Sequence, residues 1–201
     1  MHRQCLPKVV DTVYVESTRD RLMRVGVELM EESGSVDIGL REIARRAGVS
    51  HGAPRRWFPT HRALLSAIAA AGLSDLASAI ETAGREPEGR ARIDAAAHAY
   101  VDFAVRRPAM FALMFRHDLL VSGGEDLRAT SRPLFTWLRR QLDDLGFDDT
   151  ERRAASLWTG VHGVAMVHST GAMGVVAPGV DHRLVVRDII DSACQAGPLR
   201  T

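Results

Sequence analysis

Hydrophobic positions recur at helical spacing along nearly the whole chain. Leu22, Val25, Leu29 and Met30 form one stripe. Ser17 and Asp20 precede it as in a capping box, and Gly34 follows it as a natural stop. This predicts a first helix over residues 18–33. Leu40, Ile43 and Ala44 share a second face, capped by Asp37 or Gly39, and Ala47-Gly48-Val49 interrupts it. Gly48 can take the positive φ that ends a helix. Ser50 then reads as the N-cap of a third helix over residues 50–58, closed by Trp57 and Phe58. On that assignment Pro54 is the fourth helical residue, where its missing N–H removes the first intrahelical bond at mild strain.

Thr60 caps a long helix to about residue 83, with Leu64, Leu65, Ile68, Leu73, Leu76 and Ile80 as its stripe. Beyond a break at Pro87, a helix over residues 91–105 turns Ile93, Ala97, Tyr100, Val101 and Ala104 inward. Pro108 opens a short apolar helix that ends near residue 117, and residues 122–124 make a loop. Residues 125–146 are helical but contain Pro133. Either the proline kinks one helix, or a new helix starts behind a Ser131 cap. The cost of an interior proline favours the second. Asp148 and Glu151 open a helix to about residue 169, with Leu157, Trp158, Val161, Val164, Ala165 and His168 on a broad apolar face. Gly160 and Gly163 weaken its middle, so a helix or a ligand should pack closely there. Residues 171–179 read as a loop and residues 180–194 as a last helix. The sum is an all-α chain of about nine helices, without a convincing strand.

An apolar content of 46% supports a real core. No apolar run reaches membrane-spanning length and the start lacks a signal pattern, so a cytoplasmic protein with reduced Cys5 and Cys194 is expected. The net charge of +1 is unevenly spread. Residues 1–65 hold 11 basic and 8 acidic side chains, a net of +3, and the remainder hold 15 and 17, a net of −2. Five arginines, Arg41, Arg45, Arg46, Arg55 and Arg56, surround the turn at Gly48. Two short helices on a glycine turn, edged with guanidinium groups, suit a helix-turn-helix that docks on DNA. Arg55 can pair with guanine or clamp a phosphate, whereas Arg41 and Arg56 suit phosphate anchoring. No Walker loop, Gly-x-Gly-x-x-Gly, nucleophile elbow or metal-spaced cysteine pair is present, so the chain reads as a non-enzyme that needs no cofactor or metal.

The run Leu40-Arg41-Glu42-Ile43-Ala44-Arg45-Arg46-Ala47-Gly48-Val49-Ser50, with Phe58-Pro59 and Ala63-Leu64-Leu65 after it, resembles the TetR family of bacterial transcriptional regulators. Trp158-Thr159-Gly160-Val161-His162-Gly163 and the run from Pro108 to Phe115 resemble a C-terminal class of that family marked by a Trp-His-Gly motif. Three positions depart from the pattern: Arg55 stands where Tyr is usual, Trp57 where His is common, and Gly39 where Ser or Thr caps the second helix. The first two imply an altered operator preference, the third a less firmly pinned second helix.

Residues 1–16 have no helical period and include Pro7, so they read as a flexible arm. The resemblance implies a DNA-binding domain over residues 17–65 and a helical ligand-binding and dimerisation domain over residues 66–201. It implies a homodimeric repressor that leaves a palindromic double-stranded operator when a small apolar or amphipathic effector binds. The DNA-contacting set is then Arg41, Ser50, His51, Gly52, Ala53, Arg55, Arg56 and His61. The ligand set is Phe103, Met110, Phe111, Met114, Phe115, Trp158, His162 and Met166. His162 is open between a ligand-bonding group, a satisfied core histidine and a metal ligand. The dimer face falls on the last two long helices, with Leu157, Val161, Ala165, Leu184 and Ile189. A helical interaction protein that has lost DNA recognition is the alternative.

Overall fold

The computed structural model describes residues 16–116 and 126–195. Apart from Glu16, the expected N-terminal arm lies outside them, as do Cys5 and the loop at residues 122–124. Ten α-helices and no strand occur among the described residues. They are α1 (Thr18–Ser33), α2 (Leu40–Arg46), α3 (Ala53–Trp57), α4 (His61–Ala83), α5 (Gly89–Arg106), α6 (Pro108–Met114), α7 (Leu127–Asp144), α8 (Thr150–Ser169), α9 (Ala172–Val176) and α10 (His182–Ala193).

Helices α1 to α3 form a head around Leu22, Val25, Met30, Ile43 and Phe58, all nearly solvent-free. Helix α4 carries Leu64, Leu65 and Ile68 into that core and continues into the body, where it packs along α5, α6 and α7. Helix α5 lies between α4 and α8, and α10 packs against both α8 and α5. By length and composition α4 could cross a membrane, contrary to the expectation that no run could, but it is a mostly buried core helix. Its small residues explain both properties. A methyl group added at Gly72 would overlap the Met110 sulfur, so α6 rests directly on the α4 backbone.

Several helix ends are set as the sequence dictates. The Ser17 hydroxyl oxygen accepts the Asp20 N–H at 3.1 Å, and Thr60 Oγ1 accepts the Ala63 N–H at 3.0 Å. Gly48 has φ 66°, with its N–H on the Arg45 carbonyl and the Val49 N–H on the Ala44 carbonyl. These paired bonds satisfy the orphan carbonyls of α2.

Other ends differ from the sequence reading. Gly52, not Ser50, is the cap position of α3; the Ser50 carbonyl instead accepts the Ala53 N–H in the preceding turn. Pro54 therefore sits in the first turn of α3, where no intrahelical N–H is needed, and its ring is buried. Residues 127–144 form one helix through Pro133, so Ser131 caps nothing. Pro133 and Ala129, whose carbonyl loses its partner, are both solvent-exposed, and water can replace the missing bond. Asp149, not Asp148, is the cap position of α8, in left-handed backbone (φ 54°), with its carboxylate on Arg152 at 2.5 Å. Residues 171–179 are not all loop, since α9 lies within them. At Gly160 an added methyl would meet Ile189 Cγ2 at 2.8 Å, so α10 packs there as expected, but nothing approaches Gly163 within 4 Å.

Candidate DNA interface and ligand cavity

The head presents Arg41, Arg45, Arg46, His51, Gly52, Arg55, Arg56 and Trp57 to solvent around the α2–α3 turn. Helix α3 has only five residues and cannot hold itself. Buried Pro54 and Phe58 fix its inner side, and the Arg19 guanidinium lies over the Phe58 ring at 5.5 Å. Arg55, Arg56 and Trp57 are thereby held outward, with Trp57 50% exposed. Ala53 is half-buried and Ser50 exposed.

Local carboxylates divide the arginines. Arg45 grips Glu42 at 2.5 and 3.0 Å, and Arg46 forms a bidentate pair with Glu32 of α1. The Arg45 guanidinium holds the Glu42 carboxyl below its ordinary range. Arg41, Arg55, Arg56 and Arg62 have no carboxylate partner among the described residues. Their donors are free for phosphate or base edges, while Arg45 and Arg46 would first have to leave a partner. His61 opens α4, whose first turn carries unpaired backbone N–H groups suited to an anion. Its Nε2 is shielded from solvent and lacks a hydrogen-bond partner among the described residues, so only Nδ1 can face a phosphate.

In the body, a cavity of about 590 Å³ opens between α4, α5, α7 and α8. That volume lies within the range of small-molecule pockets. Leu73, Leu76 and Ile80 of α4 wall one side, and Leu134, Phe135, Trp137 and Leu138 of α7 another. Tyr100, Phe115 and Trp158 also line it. His162 stands behind Tyr100, with its Nδ1 2.8 Å from the phenol oxygen. Trp158 stacks on His162 at 5.6 Å between ring centres, and Phe115 meets it edge-on at 4.4 Å. Burial pushes the His162 pKa down and the Tyr100 pKa up, so both are neutral near pH 7.

Of the eight sequence-derived ligand candidates, Phe115 and Trp158 line this cavity. His162 reaches it only through Tyr100. Met110 and Met114 are packed on Gly72, and Phe111 is fully buried between Tyr100, His162 and Phe115. Phe103 lies under the Arg107 guanidinium, and Met166 is half-buried elsewhere on α8. Among the dimer candidates, Leu157, Val161 and Ala165 are buried within the protomer. Ile189 is half-buried against Gly160, and Leu184 is 53% exposed. No cluster of three metal-ligating side chains occurs among the described residues. His168 packs on His182 instead, at 4.3 Å.

Sequence reasoning missed Tyr100 as a cavity group and the whole α7 wall. The signal was present in Leu134-Phe135-Thr136-Trp137-Leu138, whose large side chains spread over more of the helix than one packed face can bury.

Residues 93–191 match a tetracycline-repressor-like C-terminal domain. No curated protein sequence matches the chain. A protein of unknown function from Rhodococcus sp. RHA1 has a similar structure, with 28% identity over 92% of this chain and 97% of that one (TM-score 0.77). A TetR-like transcriptional regulator from the same organism is 15% identical over 94% and 96% of the two chains (TM-score 0.66). The fatty acid degradation regulator FadR from Bacillus halodurans is 12% identical over 92% and 98% (TM-score 0.67). These last two show the fold alone. With its helix-turn-helix head and the matched C-terminal domain, the chain belongs to the TetR family of DNA-binding transcriptional regulators.

Proposed function

We propose that the protein is a homodimeric cytoplasmic repressor that releases a palindromic operator when a small apolar or amphipathic effector fills the body cavity. The observation that carries this reading is the path of α4. The helix walls the cavity with Leu73, Leu76 and Ile80 and inserts Leu64 and Leu65 into the head core. A ligand that displaces the first set biases the position of the second. Release then follows if the ligand prefers the displaced state, and couplings of about 1–3 kcal/mol are typical. Residues 17–65 act as the DNA-binding domain and residues 66–201 as the effector and dimer domain, with α4 shared between them.

In this reading α3 enters the major groove. Arg55 reads a base, Arg41 and Arg56 hold phosphates, and Ser50, His51, Gly52 and Ala53 let the backbone approach closely. His61 and the first turn of α4 hold a further phosphate. Two such heads sit about one DNA turn apart, roughly 34–36 Å. The partner protomer covers the exposed side chains Val176, Val180 and Leu184, an apolar grouping at the α9–α10 end. The candidates Leu157, Val161 and Ala165 are buried in the protomer instead, Leu157 and Val161 in the cavity wall. Fatty acid metabolism, named for the Bacillus halodurans relative, is one setting in which such a regulator works.

Selection of bound sequences from a random DNA pool, followed by mobility shift, tests the proposal. A palindromic site bound with two protomers per duplex is the expected result. Absence of any selected sequence would favour an interaction protein that has lost DNA recognition.

A further inference from the structure

The lining of the body cavity is almost wholly uncharged. Among the described residues it contains no aspartate and no glutamate, and its one ionised residue there is Arg132, on the exposed side of α7. Arg132 has no carboxylate partner among the described residues, in contrast to Arg139 two turns further along the same helix, which holds Asp143 at 2.8 Å. Beside it stands the Ser131 side chain. The other polar lining groups are Thr136, Thr159, the half-exposed Trp158 and Tyr100, whose phenol is bonded to His162 behind it. Burial keeps that pair neutral, so it solvates a hydroxyl or carbonyl but does not compensate an ion.

The geometry points to a monoanionic amphiphile as the ligand, with its carboxylate held by Arg132 at the rim and an uncharged apolar body inside the cavity. A guanidinium offers such a head group a charge-assisted, bidentate bond. An ammonium head would meet the Arg132 guanidinium and no carboxylate among the described lining residues, and a second charge carried inward would be buried unpaired. The inference rests on the effector reading above and adds the chemistry of the ligand to it.

Trp137 and Trp158 both line the cavity, so tryptophan fluorescence of the full chain reports occupancy directly. Dodecanoate, dodecanol and dodecylamine, each below its micelle concentration, serve as probes. Dodecanoate is expected to bind tightest. Arg132→Gln should weaken it roughly tenfold or more, as loss of a charge-assisted bond does, and leave dodecanol within about twofold. Arg132 is exposed, so an unchanged thermal midpoint confirms that the variant folds. Equal binding of dodecylamine or dodecanol overturns the inference, as does an Arg132→Gln protein that holds dodecanoate as tightly as the parent. Dodecanoate that binds through Arg132 without changing operator affinity supports this inference and removes the effector reading. Operator release by dodecanol alone, without dependence on Arg132, retains the effector reading and removes this one.

Discussion

The head and the α7 side of the body solve opposite problems with similar side chains. In the head, Phe58, Ile43 and Leu22 are at most 3% exposed, and the five-residue α3 is held between Pro54 and Phe58. In α7, Leu134, Phe135, Trp137 and Leu138 are all half-buried, and among this helix's residues only Leu142 is buried outright. Packing that excludes space fixes the direction of the exposed arginines. Packing that leaves space makes room for another molecule. Large apolar residues therefore stabilise the fold in one region and wait for a partner in the other.

The sharpest way to break that comparison is to truncate one aromatic in each region. Phe58→Ala should cost roughly 3–5 kcal/mol, the usual range for a buried aromatic. Trp137→Ala should cost far less, because its surroundings are already open, while reducing amphiphile binding. Urea denaturation of both variants checks this, and similar losses for the two would end the distinction.

The next largest effect separates the arginines. Arg55→Ala should weaken operator binding by about 1–3 kcal/mol and relax specificity at the contacted base pair. Arg45→Ala should change binding much less, because Glu42 already occupies that guanidinium. Mobility shifts at fixed salt measure both. Trp57→Phe sharpens the same point. Its indole N–H is uncharged, so any loss should leave the salt slope of binding unchanged.

The two glycines of α8 give a smaller contrast of opposite sign. Gly160→Ala should destabilise by about 1–3 kcal/mol, since its methyl overlaps Ile189. Gly163→Ala should stabilise by up to about 1 kcal/mol through helix propensity, because nothing approaches it within the protomer. Thermal unfolding at several protein concentrations is the check. A Gly163→Ala loss that grows with concentration would place the partner protomer against that position.

The smallest effect is a pH dependence. The unfolded chain protonates His162 near 6.5, whereas the folded protein resists it because the ring is desolvated. The unfolded state thus binds more protons below that value, and stability falls as the pH drops through and below 6.5. His162→Gln should flatten part of that slope in melts between pH 7.5 and about 5.

Local chemistry made most helix boundaries legible. Ser17 and Thr60 carry a side-chain acceptor within reach of a free N–H, and Gly34 and Gly48 tolerate positive φ without any neighbour. The α3 cap is not legible in the sequence because both Ser50 and Gly52 can start a helix, and the burial of Pro54 decides between them. The sequence does not show that α7 runs through Pro133, because the cost of an interior proline falls when the freed carbonyl is hydrated, and Ala129 and Pro133 are both exposed.

By itself, the sequence determined an all-α chain, a helix-turn-helix with its arginine edge, and the family to which it belongs. These depend on periodicity and on contacts within a few residues, which spacing alone records. Only the tertiary structure decided which arginines are free, since Glu32 is fourteen residues from Arg46. It alone separated cavity from core among the aromatics of α5, α6 and α8. Both a filled and an open site are built from apolar residues at helical spacing, and the difference lies in how far apart the helices stand.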